Sequence, residues 1–241
     1  MNNNTFIVGP SKFGVRREYF IPSLLLEQKK SLIVFDNNVN NSYEYTNKQK
    51  QEQGYLVFKY DVFDEELYIK LQQLLTDKNA QKYICYIQQG AFTLNQEVRN
   101  KNGNEKMEEL FRMILEESTN SEIHIFIKDF LRHDPENKEL LKILNTGRSK
   151  KISVTIMEYS YKECIKVVKE CFSKIFVFGI MDISDAEYFS KASNNFITSV
   201  EMMYMPDNKA LVLLSNEPPK IVEKAVAYKL GRDKLFSLIH K

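Results

Sequence analysis

Apolar runs of strand length alternate with helically spaced apolar positions along almost the whole chain. Thr5-Phe6-Ile7-Val8 reads as a first strand, and Arg17 to Gln28 is apolar-periodic. Ser31-Leu32-Ile33-Val34-Phe35 is a second strand, ending at Asp36. The polar stretch Asn41 to Gln53 reads as a solvated helix stopped by Gly54. Tyr55 to Tyr60 is a third strand, and Asp64 to Leu75 a helix with Leu67, Leu71, Leu74 and Leu75 on one face. Tyr83 to Ile87 is a fourth strand. Ala91 to Asn104 is polar and carries Asn102-Gly103, which predicts a loop with a turn. Helical spacing returns at Glu105 to Glu117. Ile123 to Ile127 is almost purely apolar, as a strand covered on both faces should be. A helix at Pro135–Leu144, a strand at Ile152–Met157, a helix at Tyr161–Phe172 and a strand at Ile175–Phe178 follow. Asp182 to Lys191 reads as a further helix. From Val200 the pattern shortens to closely spaced strands, Ala210–Leu214 and Ile221–Tyr228, with Pro218-Pro219 between them. Arg232 to His240 reads as a short helix.

Strand–helix alternation predicts an α/β fold, with a mostly parallel sheet, helices on both faces and antiparallel strands added near the C-terminus. No composition shift marks a boundary, so residues 1–241 are expected to form one domain. The 241 residues suffice for a large core. With 43% apolar and 27% charged residues the chain is ordinary globular material. Lys and Arg number 34 against 32 for Asp and Glu, so net charge argues for neither nucleic acid nor an anionic membrane. No apolar run approaches the roughly 20 residues needed to span a bilayer, and the Met1-Asn2-Asn3-Asn4 start is no signal peptide. Cys85, Cys164 and Cys171, like His124, His133 and His240, lack metal-ligand spacing. Reduced thiols in a cytoplasmic protein are expected, with no metal bound.

Gly9-Pro10-Ser11-Lys12-Phe13-Gly14 sits between a strand and a helical segment, with the glycine spacing of a phosphate-cradling loop. In a working loop a Lys and a Ser or Thr follow, the first for the β- and γ-phosphates and the second for Mg²⁺. Here Val15 and Arg16 stand in those positions.

The ordered series of segments resembles the ATPase core of TraG/VirD-type coupling proteins of conjugative type IV secretion, over about four-fifths of the chain. Their glycine loop and following "Ile-Pro-Asn-Leu-Leu" are matched by Gly9-Pro10-Ser11…Gly14 and Ile21-Pro22-Ser23-Leu24-Leu25. Their strand ending in Asp, polar helix with Thr, and Gly before a strand and "Asp-Pro-Phe" resemble Ser31–Asp36, Thr46, Gly54 and Asp61-Val62-Phe63. "Leu-Leu-Asp-Glu-Phe" is similar to Ile127-Lys128-Asp129-Phe130 with Phe126 before it. Gly147-Arg148 and Thr155 to Ser160 resemble the next motif, and Asp182 to Ser190 and Met205 to Val212 the last two. The resemblance implies a RecA-like P-loop NTPase fold. It also implies that three chemical positions have changed. Val15 replaces the phosphate-binding Lys, Lys128 replaces the Asp that holds Mg²⁺, and Glu158 replaces a Gln near the γ-phosphate. Asp129 stands for the hydrolytic Glu. The family's membrane-spanning N-terminus has no match, and its all-α insertion is reduced to about Asp64–Gln81.

The expectation is a degenerate coupling ATPase without turnover, acting as a scaffold or adaptor among protein components of a conjugation or type IV secretion machine, an active coupling ATPase among them. It would sit in the cytoplasm or peripherally at the inner membrane face, with no cofactor. One alternative is a deviant ATPase that binds ATP and Mg²⁺, using Lys12 or Arg16 for phosphate and Asp129 for water, with Gly9, Ser11 and Gly14 as the cradle. Another is a DNA-binding module without motor activity. Lys128, Asp129 and Glu158 are expected at the carboxyl edge of the sheet, where Lys128 and Glu158 either pair with each other or stand as independent solvent-facing charges. His133 with Asp134 reads as a loop histidine beside a helix cap, Arg148 as a turn arginine, and Met202-Met203-Tyr204-Met205 as strand-spaced packing.

Overall fold

The computed structural model describes residues 4–9, 19–36, 41–77, 81–88, 96–118, 122–129, 137–161, 171–206 and 208–223, with 41 and 96–101 described by backbone alone. In chain order the elements are β1 Thr5–Val8, α1 Ile21–Leu26, β2 Ser31–Asp36, α2 Asn41–Glu52, β3 Leu56–Asp61, α3 Glu65–Thr76, β4 Tyr83–Gln88, α4 Gln96–Glu117 and β5 Ile123–Lys128. Then come α5 Lys138–Thr146, a 3₁₀ turn Gly147–Lys150, β6 Ile152–Glu158, β7 Lys174–Val177, α6 Ile183–Ala192, α7 Ser199–Met203, β8 Lys209–Leu214 and β9 Glu217–Glu223. They fall into two compact units. One is Glu27–Thr155; the other combines Met1–Leu26 with Ile156–Lys241.

In the Glu27–Thr155 unit the strand order is β3-β4-β2-β5, with the first residues of β6 beyond β5. The β3–β4, β4–β2 and β2–β5 pairings are all parallel. Val34 lies opposite Tyr86, and Phe35 opposite Ile87. The Tyr86 hydroxyl meets Thr46 Oγ1 of α2 at 2.5 Å, and its ring stands edge-on to Tyr43, whereas Phe35 packs on Phe111 of α4 with centroids 5.0 Å apart. Because side chains alternate along a strand, α2 and α4 cover opposite faces of this sheet. β2 is buried throughout, while the edge strand β3 is half-exposed, the pattern of a sheet sandwiched between helix layers.

Gly54 ends the polar helix as expected, at φ +83. The loop expected at Ala91–Asn104 is instead largely helix: α4 begins at Gln96 and runs through Asn102-Gly103. A helical glycine costs about 1 kcal/mol relative to alanine. The buried row Met107, Leu110, Phe111 and Ile114 farther along the same helix outweighs that cost. α5 starts at Lys138, capped by Asn137, whose side chain accepts the Leu140 N–H at 2.8 Å. The expected start at Asp134-Pro135 lies outside the described residues.

In the other unit β1 and β7 pair in parallel, and β8 and β9 continue from β7 in antiparallel order. Met202–Met205 is not strand. Thr198 and Glu201 form a reciprocal capping box that starts α7, burying Met202 and Met205 and leaving Tyr204 82% exposed. Pro218 and Pro219 belong to β9 rather than separating strands. Among the described residues β9 ends the strand order, so the outward-facing one of the two missing N–H groups breaks no ladder, and the other falls where the β8–β9 register shifts between Val212 and Leu214. The expected elements at 162–170 and 232–240 and the strand residues 224–228 lie outside the described residues.

Candidate functional site: a buried lysine held by two aspartates

β2 and β5 are neighbours in register, which sets Asp36 opposite Lys128 at the carboxyl end of both strands. Two residues beyond Val34, Asp36 projects from the face that α2 covers. Lys128 is 0% exposed. Its ammonium donates to Asp36 Oδ1 at 3.2 Å and lies 3.1 Å from Asp129 Oδ2. In an uninterrupted strand Lys128 and Asp129 would point to opposite faces. Asp129 instead takes a left-handed backbone, φ 57, which turns its carboxylate back to the ammonium.

Asp36 is itself positioned. Ser42, in the first turn of α2, donates its hydroxyl to Asp36 Oδ2, leaving Oδ1 to the lysine. One turn on, Thr46 donates to the Ser42 carbonyl, so the short contact between Thr46 and Tyr86 has the tyrosine as donor. Burial pushes the Tyr86 phenol above its ordinary range and keeps it protonated for that role.

The resemblance to the coupling ATPases calls for Mg²⁺ at this strand edge, and Lys128, Asp36 and Asp129 do not fit it. Both carboxylates already face a fixed positive charge. Like charges about 4 Å apart at a protein's effective dielectric repel by several kcal/mol, and a divalent ion doubles this. Among the described residues no group of three or more His, Cys, Asp or Glu is arranged to hold a metal ion. Neither Lys128 nor Glu158 is solvent-facing, and the Lys128 ammonium turns to Asp36 and Asp129, within its own unit.

In the other unit Glu158 closes β6, 2% exposed, and its carbonyl accepts the Gly9 N–H at 3.1 Å. That bond fixes the residue that opens the glycine loop. Ser11, Lys12, Gly14, Val15 and Arg16, like His133 and Asp134, lie outside the described residues. Asp182 and Asp185, from the motif resembling the coupling proteins, hold the backbone. Asp182 caps α6, and the buried Asp185 accepts from the Ser160 hydroxyl and the Tyr161 N–H, both at 2.8 Å. Arg148 is an exposed residue of the 3₁₀ turn.

A second polar cluster escaped the sequence reading. His124 Nε2 lies 2.9 Å from Thr155 Oγ1, and Nδ1 lies 3.3 Å from Glu27 Oε2. That hydrogen bond from the imidazole is the main reason the Glu27 carboxyl falls to about 2. Beside it, Lys50 and Tyr55 both donate to the Glu27 carbonyl, and Lys50 stands 4.5 Å over the Tyr55 ring. Hydroxyl, imidazole and carboxylate follow one another as in a nucleophile relay. Thr155 is only 4% exposed, however, so its hydroxyl is closed to a substrate and the cluster serves packing.

No family model matches the chain, and no curated protein matches it. Solved structures do. The genome packaging NTPase B204 of Sulfolobus turreted icosahedral virus 2, in complex with AMPPCP, is similar at TM-score 0.58 and 13% identity, over 92% of this chain and 97% of that one. B204, the DNA-packaging ATPase of Sulfolobus turreted icosahedral virus, gives 0.55 at 14% identity, over 92% and 98%. The bacterial conjugative coupling protein TrwB gives 0.51 at 17% identity, over 64% of this chain and 42% of that one. At these identities the likeness is one of fold: the chain has the α/β fold of the P-loop NTPases, with a mostly parallel sheet and antiparallel strands toward the C-terminus.

Proposed function

We propose that this chain is a catalytically degenerate relative of the TraG/VirD-type coupling ATPases, acting without ATP turnover as a scaffold or adaptor in a DNA-transfer machine. The observation that carries the reading is Lys128. It ends a central strand where the resemblance calls for a Mg²⁺-holding aspartate, and its ammonium occupies both nearby carboxylates. Val15 and Glu158 add to it, since each removes a group that phosphoryl transfer uses. Loss of one charge stabiliser costs orders of magnitude in rate, and here three are replaced together. The fold likeness to a packaging NTPase and to a coupling protein supports the broader class, machinery that moves or packages DNA. Protein components of a conjugation or type IV secretion machine, an active coupling ATPase among them, are the proposed partners, met at the cytoplasmic face of the membrane. No helix among the described residues is long and apolar enough to cross it.

Thermal unfolding at millimolar Mg-ATP tests this directly, because a ligand bound only by the folded state raises Tm. No shift is expected. A shift abolished by Lys12→Ala or Arg16→Ala would establish the deviant ATPase instead. Duplex binding that weakens steeply with salt, without any nucleotide effect, would establish the DNA-binding module. Because several positions differ, Val15→Lys alone is expected to give no ATP hydrolysis.

A further inference from the structure

We propose that the outer face of α7 is the docking site for the chain's own C-terminal segment, residues 232–240, seated there as a basic amphipathic helix. α7 is apolar on both sides. Met202 and Met205 are buried beneath it, yet Val200 and Tyr204, one turn apart on its outer side, are 60% and 82% exposed. The Tyr204 N–H donates to the Val200 carbonyl at 3.1 Å, which sets the two side chains on one side of the turn. Phe196, four residues before Val200, is 53% exposed. A helix that is apolar all round is ordinarily covered, and a cluster of large apolar side chains on an outer surface marks an interaction site. Charge names the occupant. The stretch 181–206, which holds α6 and α7, has four carboxylates, Asp182, Asp185, Glu187 and Glu201, against one cation, Lys191. Of the four, all but Asp185 are exposed. Residues 224–241 follow β9 and lie outside the described residues; they carry Lys224, Lys229, Arg232, Lys234 and Lys241 against Asp233. In their sequence Leu235, Phe236, Leu238 and Ile239 have the spacing of one helix face. A helix this short does not hold in water by itself, so it needs an apolar surface, and an acidic rim suits its cations. Residues 224–231 tether it to β9 with a reach of up to about 28 Å, against a radius of gyration of about 13 Å for a 100-residue domain. Such a tether keeps the segment at millimolar effective concentration. A second copy of the same face would instead set acid against acid. The face lies in the unit that does not hold Lys128, so the docking stands whether or not the chain turns over ATP.

The full chain carrying the photo-cross-linker p-benzoylphenylalanine in place of Tyr204, irradiated and digested with trypsin, provides the test. The cross-link is expected on the peptide 235–241, which trypsin releases after Lys234. In a mixture of heavy-nitrogen-labelled and unlabelled protein, each cross-linked product should carry one isotope only, the mark of a contact within a single chain. Leu238→Glu should lower the yield about tenfold, the loss expected when one leucine side chain can no longer be buried. The same probe in place of Ile69, 61% exposed in the other unit, should leave 235–241 unmodified. Products of mixed isotope would make the face a contact between copies. A cross-link elsewhere in the chain, or none, would deny the segment its seat. Either result would overturn the proposal, as would a yield indifferent to Leu238→Glu or equal capture of 235–241 from position 69.

Discussion

The ammonium of Lys128 lies 3.1 Å from the carboxylate of Asp129, the next residue along the chain, a contact that the φ of 57 at Asp129 makes possible. Backbone and charge can therefore be separated by substitution. Asp129→Gly accepts the left-handed backbone and loses the ion pair, whereas Asp129→Ala loses the pair and carries a left-handed cost of about 1 kcal/mol. In urea denaturation both should be destabilised, Ala more than Gly by about that amount. Equal losses would mean that the backbone at 129 relaxes on substitution.

Asp36 connects the lysine to α2. Asp36→Asn leaves a wholly buried ammonium with one fewer negative partner, and removing one member of a buried pair costs about 3–5 kcal/mol. Ser42→Ala removes only the orienting hydroxyl, for about 1 kcal/mol. Denaturation midpoints should rank wild type, Ser42→Ala, then Asp36→Asn. The reverse order of the two variants would show that Asp36 serves the helix rather than the lysine.

Glu27 gives a pH dependence of known sign. Its carboxyl lies at about 2 in the fold against 4.5 ordinarily, chiefly through the hydrogen bond from His124. A depressed carboxyl contributes stability that is whole above about 4.5 and is lost as pH falls toward 2. His124→Gln should shrink the fall in stability between pH 4.5 and 2; an unchanged slope would assign that fall to other carboxylates.

Lys50 runs the other way. Burial lowers its ammonium to about 7 from 10.5, so between those values the unfolded chain binds the extra proton and stability rises with pH. Lys50→Met should flatten the rise from pH 7 to 10 and leave the variant at least as stable as wild type at pH 7, hydrogen bond to Glu27 notwithstanding. A steep loss of stability at pH 7 would show that this bond outweighs desolvation.

Cys85 offers a check on the core. It is 1% exposed and burial pushes its thiol up to about 12, so no thiolate forms near neutrality. Peptide mapping after iodoacetamide treatment at pH 8 should find Cys85 unmodified in native protein and modified once denaturant is added.

What could be read in advance follows from how local each signal is. β2 and β5 were legible because burial on both faces leaves an apolar run that needs no partner to recognise. Gly103 misled because a turn signal is weighed over two residues and a helix over 22. The start of α7 is legible in the spacing Thr198-x-x-Glu201, a capping box that ends any strand reading of the methionines after it. At the site, Lys128 and Asp129 stood out, but their mutual contact defies strand alternation and Asp36 is 92 residues away from its partner. His124 looked like a scattered histidine for the same reason: Glu27 and Thr155 lie 97 and 31 residues from it, and only the folded sheet brings them together.

That last meeting has a consequence for how such a chain can change over time. Glu27 and Thr155 are the first and last residues of their unit, and one imidazole touches both. A stretch of chain that leaves from the point where it entered is a cassette. Helices within it can grow, shrink or be exchanged while the exit stays beside the entrance, and the rest of the polypeptide need not adjust. The segment between β3 and β4, which holds α3, is one place where such a closed circuit tolerates a change of length.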